Sequence, residues 1–495
     1  MRHFFLSIVV VATAASPASA QHYQSDFPAE EFQARWAKLF DRIGDGVAVV
    51  QGMPLTDGYT FPRQYNTFYY LSGIETPGAY LRFDGAARRA TLYLPPRNER
   101  LERAEGKVLS AEDAELVKRL TGVDDVQPLD AMRIDGWPVI AATDPRGSVP
   151  AGASTTGPPR SAIIYAEFSP AEAAGQSRGE LVAADTARAM DFWDGGTSRQ
   201  RGFVELLRTR NPRAEIKDLN PILDELRAIK SPREIALVRR ASQLAGLGLI
   251  EAMRSTEPGV TEYQLDAAAR YMFLVNGARL EAYRSITAAG NENINNMHYF
   301  RNTATLKDGD LVLMDYAPDY RYYVSDIGRV WPVNGKYNAW QRELLQFVLE
   351  YHKGVLARIR PGVTPAQIMD EAKKAMEPVF ARTKFSKPIY EAAARRLVET
   401  GGGVFSHTVG MAVHDVGGYR SGLKPGHVFS VDPQLRVPEE SLYLRYEDTV
   451  VVTATGVENF TDFLPMELDA MEQLVREKGI VQSAAPDLKG MRSAK

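Results

Sequence analysis

The stretch from Asp310 to Val333 reads DLVLMDYAPDYRYYVSDIGRVWPV. Two apolar, strand-like runs flank Pro318-Asp319-Tyr320-Arg321, so the pattern predicts a β-hairpin. Asp315 interrupts the first run and Asp326 sits in the second. A two-residue loop at Tyr320-Arg321 would set positions 315 and 326 opposite each other, with Cβ atoms about 4.5–5.5 Å apart. Two like charges facing on a buried strand pair repel and lose hydration. A cation is the economical compensation; the plain alternative is that one of the two is an exposed edge residue.

Other acids repeat the pattern. Leu442 to Val452 (LYLRYEDTVVV) reads as a strand carrying Arg445 and Glu447. Side chains two apart share a face, so Arg445 can orient the Glu447 carboxylate. Asp432 closes the apolar run Phe429-Ser430-Val431. The chain has seven histidines, and two of them, His407 and His414, lie in one apolar, glycine-flanked segment. Positions seven apart on a regular strand point to opposite faces, so both reach one site only if the chain bends there. His298 follows a polar loop, Gly290 to Asn296, whereas His352 lies in a helical pattern and His427 in a turn. The last two are assigned no role.

Outward from these segments, Asn220 to Met253 and Glu262 to Leu274 are helical, with Ser231-Pro232-Arg233-Glu234 as a start signal. Helices are expected again at Asn338 to Arg360 and Pro365 to Phe380, and strands from Val428 to Val452. Before residue 216, strand-like runs such as Val47 to Val50 and Ala90 to Leu94 alternate with helical ones such as Ala111 to Leu120. Pro145 to Arg160 gathers Gly, Pro, Ser and Thr and reads as an exposed loop. The expected organisation is an α/β domain over 28–215, an α+β domain over 216–470, and a polar tail over 471–495.

Residues 1–20 have the layout of a secretory signal: a basic start, an apolar stretch from Phe4 to Ala15, and a small-x-small site at Ala18-Ser19-Ala20. An exported protein, periplasmic or secreted and free of the membrane after cleavage, is expected. The composition is globular, with 44% hydrophobic and 24% charged residues and a formal net charge of −3. Acidic and basic residues are interspersed, so nothing marks a nucleic-acid partner. No cysteine is present. Disulfides, thiol catalysis and thiolate metal sites are thereby excluded, and any metal must be held by His and carboxylates, which suits Mn, Co or Zn.

The second half resembles the pita-bread metallopeptidases of family M24, such as aminopeptidase P and prolidase. The resemblance rests on Ile229 to Ile235, Asp308 to Asp315, Ser325 to Arg329, Ser406-His407 through His414-Asp415, and Arg445-Tyr446-Glu447-Asp448 in that order. The N-terminal half resembles the aminopeptidase P N-terminal domain at Phe61 to Gln64, Phe68 to Gly73 and Leu94 to Arg97. The resemblance implies an α+β pita-bread catalytic domain and a dinuclear site. Asp326 and Glu447 would bridge two divalent ions, manganese first with cobalt or zinc as alternatives. Asp315 would complete one ion's shell, and His407 with Asp432 the other's. Asp432 would also move the proton, while His298 and His414 would contact the substrate. Implied too are short, proline-containing peptide substrates and a homo-oligomer.

Departures accompany the resemblance. The family's Glu is Asp432 here, followed by Pro433-Gln434 instead of Pro-Gly; Gly403 replaces a histidine and Gly328 a threonine. Xaa-Pro aminopeptidase activity is the expectation, and a prolidase-like dipeptidase or a catalytically inactive binding module are the rivals. Gly175-Gln176-Ser177-Arg178-Gly179 also fits the G-x-S-x-G pattern of serine hydrolases. That motif needs a strand before it and a helix after it. Pro170 to Ala174 reads as helical, so the match is taken as chance.

Overall fold

The computed structural model describes residues 23–55, 63–133, 163–419 and 421–484. The expected signal segment, Phe61-Pro62, and the loop at Pro145 to Arg160 lie outside the described residues. Among the described residues no helix is long and apolar enough to cross a membrane.

The N-terminal unit is a six-stranded mixed sheet in the order Asp125–Pro128, Arg89–Leu94, Tyr80–Asp84, Val47–Gln51, Ile163–Ala166 and Glu215–Asp218. Helix Ala29–Ile43 packs with it through Phe32, Trp36, Leu39, Phe40 and Ile43, the stripe a 3.6-residue period demands. The last strand carries this unit to Asp218, so its boundary falls three residues beyond the expected 215.

Two long helices open the catalytic unit. Helix Pro232–Arg254 starts with a Ser231/Glu234 capping box and proline at its first position, and it packs on Glu262–Val275. Next comes a sheet with Leu311–Asp315 at its centre, between Ile286–Ala289 and Gly328–Pro332. Leu311 to Met314 are all buried, which explains an unbroken apolar run in place of alternation. A second sheet joins Val428–Val431, Asp448–Val452 and Val457–Asn459, and a two-stranded ribbon pairs Gln434–Val437 with Leu442–Arg445. Helices Ala339–Leu356, Pro365–Arg382 and Pro388–Thr400 complete the unit.

Three expectations shift. The hairpin turns at Arg321-Tyr322, one residue later than read: Tyr320 and Tyr323 exchange N–H···O bonds of 2.9 and 3.1 Å. Both central residues have positive φ, 52° and 73°, as a type I′ turn requires. Asp315 therefore pairs with Gly328, and Asp326 lies two residues short of that register but on the same side chain parity. Leu442 to Val452 is two strands, not one; the chain leaves the ribbon at Arg445 and enters the second sheet at Asp448. Finally, residues 471–484 are not the polar tail expected from 471. Helix Leu468–Val475 buries Met471, Leu474 and Val475, and Gln482 Nε2 donates to the Ser255 carbonyl at 2.9 Å.

The two units are tied beside the turn. Tyr69 stacks on Tyr322 with ring centroids 3.5 Å apart, and Arg63 donates to the carbonyls of Tyr322 and Met411 and pairs with Asp319. Deeper in, buried Arg227 bridges Glu172 at 2.8 Å and Asp415 at 2.5 Å, with Lys230 3.2 Å from Asp415. Burial opposes ionisation of Asp415, but Arg227 and Lys230 outweigh it and hold the carboxyl below its ordinary range. Arg227→Met leaves two buried carboxylates short of a partner and should cost about 3–5 kcal/mol in urea unfolding at pH 7. A depressed pKa stabilises the fold above the unfolded value of about 3.9 and ceases to do so as pH falls through the folded value. The gap between wild type and variant should therefore narrow below about pH 4; a constant gap would assign the loss to packing alone.

Candidate metal centre

The two sheets and the ribbon meet where the chain has its acids. Asp315 ends the central strand of the first sheet. Asp326 is fixed to the second sheet, its N–H donating to Thr449 Oγ1 at 2.9 Å while that hydroxyl donates to the Asp326 carbonyl at 2.8 Å. Glu447 occupies the gap between ribbon and sheet and exchanges backbone bonds of 3.0 and 3.1 Å with Gly328. A Cβ on residue 328 would stand 3.2 Å from Glu447 Oε2, so glycine there keeps the carboxylate uncrowded. Ser430 Oγ donates to Glu447 Oε1 at 2.7 Å.

Asp315, Asp326 and Glu447 bring ligand atoms within 4.8 Å of one another, and so do Asp326, His407 and His414. Asp326 belongs to both groups. His407 Nε2 is 3.2 Å from Asp326 Oδ2, and the two imidazole rings lie 4.1 Å apart. The chain bends between them: Gly410 N donates to the Ala412 carbonyl and Thr408 bridges to Asp415. His414, expected only as a substrate contact, thus stands at ligand distance as well. Asp432 is buried beside these groups but belongs to neither; its Oδ2 accepts from Gln434 Nε2 and, at 3.1 Å, from Arg445 Nη1. Arg445 does more than orient Glu447, whose Oε2 is 3.2 Å from its Nη1, because it also pairs with Asp315.

Tyr283 was not read from the sequence, since no pattern marks it. Its hydroxyl lies 2.5 Å from Asp315 Oδ1 and 3.0 Å from Asp326 Oδ1, joining the two acids of the hairpin. His298 is exposed on the loop at the rim, near enough for its charge to act on His414. Burial, then the neighbouring His407, pushes His414 down to about 4, so its imidazole is neutral at pH 7. His352 is a buried partner of Asp448 at 2.8 Å, together with Arg329 at 2.6 Å. Ser177 is the N-cap of helix Arg178–Met190, in a capping box with Glu180. No strand leads into it and Pro170 to Ala174 form no helix, so the serine-hydrolase geometry is absent there.

Burial raises Asp326 and Glu447 well above the ordinary carboxylate range, and repulsion from neighbouring carboxylates adds to it against Arg445. Three of the four buried carboxylates pair with one guanidinium, and Glu447 Oε2 and Asp432 Oδ1 are buried without a hydrogen-bond partner. An oxygen-and-imidazole donor set with excess negative charge fits divalent cations. Asp315, Asp326, Glu447, His407 and His414 are placed to hold them, with Asp432 adjacent. Because burial and mutual repulsion raise both carboxyls, cation binding should expel protons, and affinity should rise with pH. Calorimetry of Mn²⁺ binding in buffers of different ionisation enthalpy measures this; a buffer-independent heat would refute it.

Comparison with known proteins agrees with this geometry. Residues 236–454 match metallopeptidase family M24, and residues 32–135 match the aminopeptidase P N-terminal domain. The chain is 35% identical over 285 residues to the Xaa-Pro aminopeptidase of Escherichia coli, a match covering 54% of this chain and 64% of that protein. It is 28% identical over 477 residues to the Xaa-Pro aminopeptidase of Haemophilus influenzae, covering 92% and 99%. The solved structure of proline aminopeptidase P II from Yersinia pestis superposes with a TM-score of 0.69 at 28% identity, covering 91% of this chain and 99% of that one. With both domains matched in order and the acids and histidines converging between its sheets, the chain belongs to metallopeptidase family M24, in the aminopeptidase P arrangement of N-terminal and pita-bread domains.

Proposed function

We propose that this chain is an exported, metal-dependent Xaa-Pro aminopeptidase that removes the N-terminal residue from short peptides. One observation carries the chemistry: Asp315, Asp326, Glu447 and His407 converge in a buried site that has carboxylate oxygens without hydrogen bonds. The names of the relatives, Xaa-Pro aminopeptidases matched over most of the chain, support the substrate class. Asp315, Asp326, Glu447 and His407 would hold two divalent ions, which when bound would acidify a water and offset charge on a developing oxyanion. The protein's own part is separable. Asp432 Oδ1, buried and unpartnered, is placed to accept a proton and return it to the leaving amine. His414, a neutral donor beside His407, and the exposed His298 are the histidines assigned to contact the substrate and its developing oxyanion. Tyr283 and Arg445 keep the carboxylates apart in fixed orientations.

Manganese is the proposed ion, by the oxygen-rich donor set, with cobalt and zinc as alternatives. The signal-like segment supports export, and homo-oligomerisation is the expectation its resemblance carries. Protein recovered from the periplasm or medium should begin at Gln21, which N-terminal sequencing decides.

The activity is tested with Xaa-Pro-Yaa tripeptides and Xaa-Pro dipeptides in Mn²⁺ or Co²⁺. Release of the first residue from tripeptides is expected; hydrolysis of dipeptides alone would make the protein a prolidase. His407→Ala should lower turnover by more than about a hundredfold. Ser177→Ala should cost about 1 kcal/mol of stability through its helix cap and leave turnover intact. Peptide binding without turnover in any metal would turn the reading to an inactive module.

A further inference from the structure

Resting on the metal reading above, the geometry assigns Gln434 as the positioning residue for Asp432. Three features meet there. Gln434 starts the ribbon strand Gln434–Val437 and pairs directly with Arg445 across it, so their side chains rise on one face. Both reach the same atom: Gln434 Nε2 and Arg445 Nη1 donate to Asp432 Oδ2. The amide's orientation is fixed from its other end, where Oε1 accepts from Arg436 Nη2 at 3.4 Å. A carboxylate on one side demands the NH₂ group, and a guanidinium on the other demands the oxygen.

Room for this side chain comes from the glycine run. A Cβ on Gly403 would run into Gln434 Nε2 and stand 2.7 Å from the Asp432 carbonyl oxygen, and a Cβ on Gly402, at φ +58°, would stand 2.7 Å from Gln434 N. Gly402-Gly403, Gln434 and the short Asp432 side chain therefore form one packed unit. Its consequence is that Asp432 keeps a single oxygen free of hydrogen bonds, Oδ1. An ion held beside His407 would gain one donor atom from Asp432, whereas an ion held by Asp315, Asp326 and Glu447 would not depend on it. Unequal affinities for two successive ions follow. The same chain of contacts runs outward, since Arg436 Nη2 also lies 3.2 Å from Met297 Sδ, next to His298 on the rim loop.

Calorimetric titration of the full mature chain with Co²⁺, followed in parallel by visible absorption, tests the assignment. Wild type should show a tighter and a weaker event. Gln434→Met, which keeps length but cannot donate, should weaken the second about tenfold and change the absorption of the second equivalent. The first event should stay unchanged, and kcat should fall without a matching change in KM. Gly403→Ala, which pushes on the same amide, should move the second event in the same direction and guards against misfolding of the first variant. Unchanged second-event affinity and spectrum in both variants would overturn the role of Gln434 and leave the metal reading standing. Absence of any divalent-ion binding by wild type would remove both.

Discussion

Four carboxylates, Asp315, Asp326, Asp432 and Glu447, are buried close together, three of them paired with the guanidinium of Arg445, and the surrounding architecture is organised by that charge. Buried charge is costly unless every polar atom is paired. Each acid therefore sits where a different element can reach it: the Tyr283 hydroxyl, with one proton to give, between Asp315 and Asp326, Thr449 on the Asp326 backbone, Ser430 on Glu447, Gln434 on Asp432. No single sheet could do this. The break between Arg445 and Asp448 has a physical purpose in this light. A continuous strand would alternate Arg445 and Glu447 along one sheet face, whereas the break lets Glu447 pair its backbone with Gly328 and close the two sheets on each other.

The sequence made the acids visible because each interrupts a run that is otherwise apolar, and four such interruptions are hard to reconcile with surface residues. It also made the helices visible, through capping boxes and proline at the first turn. The hairpin register was less legible. A type I′ turn favours Asn-Gly or Gly-Gly, and Arg321-Tyr322 gives no such signal. Their positive φ values are sustained by tertiary contacts: Tyr69 stacked on Tyr322, and Arg321 paired with Asp26 at 2.5 Å. One residue of error at the turn became two in the register, while the parity that puts Asp315 and Asp326 together survived. Tyr283 left no trace because a lone tyrosine beside a strand has no pattern. The bend between His407 and His414 was allowed by glycine but not dictated by it.

The N-terminal unit takes part in the site's construction. Strain at the turn is about 1–3 kcal/mol per residue in an unfavourable region, and contacts from the N-terminal unit add to the bonds the turn makes with Tyr320, Tyr323 and Asp319. Aromatic stacking across the units returns about 0.5–1.5 kcal/mol, and Arg63 adds bonds to two carbonyls, one of the turn and one of the loop that carries His414. On the other side of that loop, Val413 N donates to the Ala174 carbonyl at 2.8 Å, and Asp415 is held by Arg227, itself paired with Glu172 of the N-terminal unit. His414 is thus flanked on both chain neighbours by contacts that reach the other unit. The imidazole's place beside His407 and Asp326 is therefore a property of the docked pair of units: a catalytic unit alone would keep the three acids of its sheets but lose the contacts that fix the loop bringing the second histidine to them.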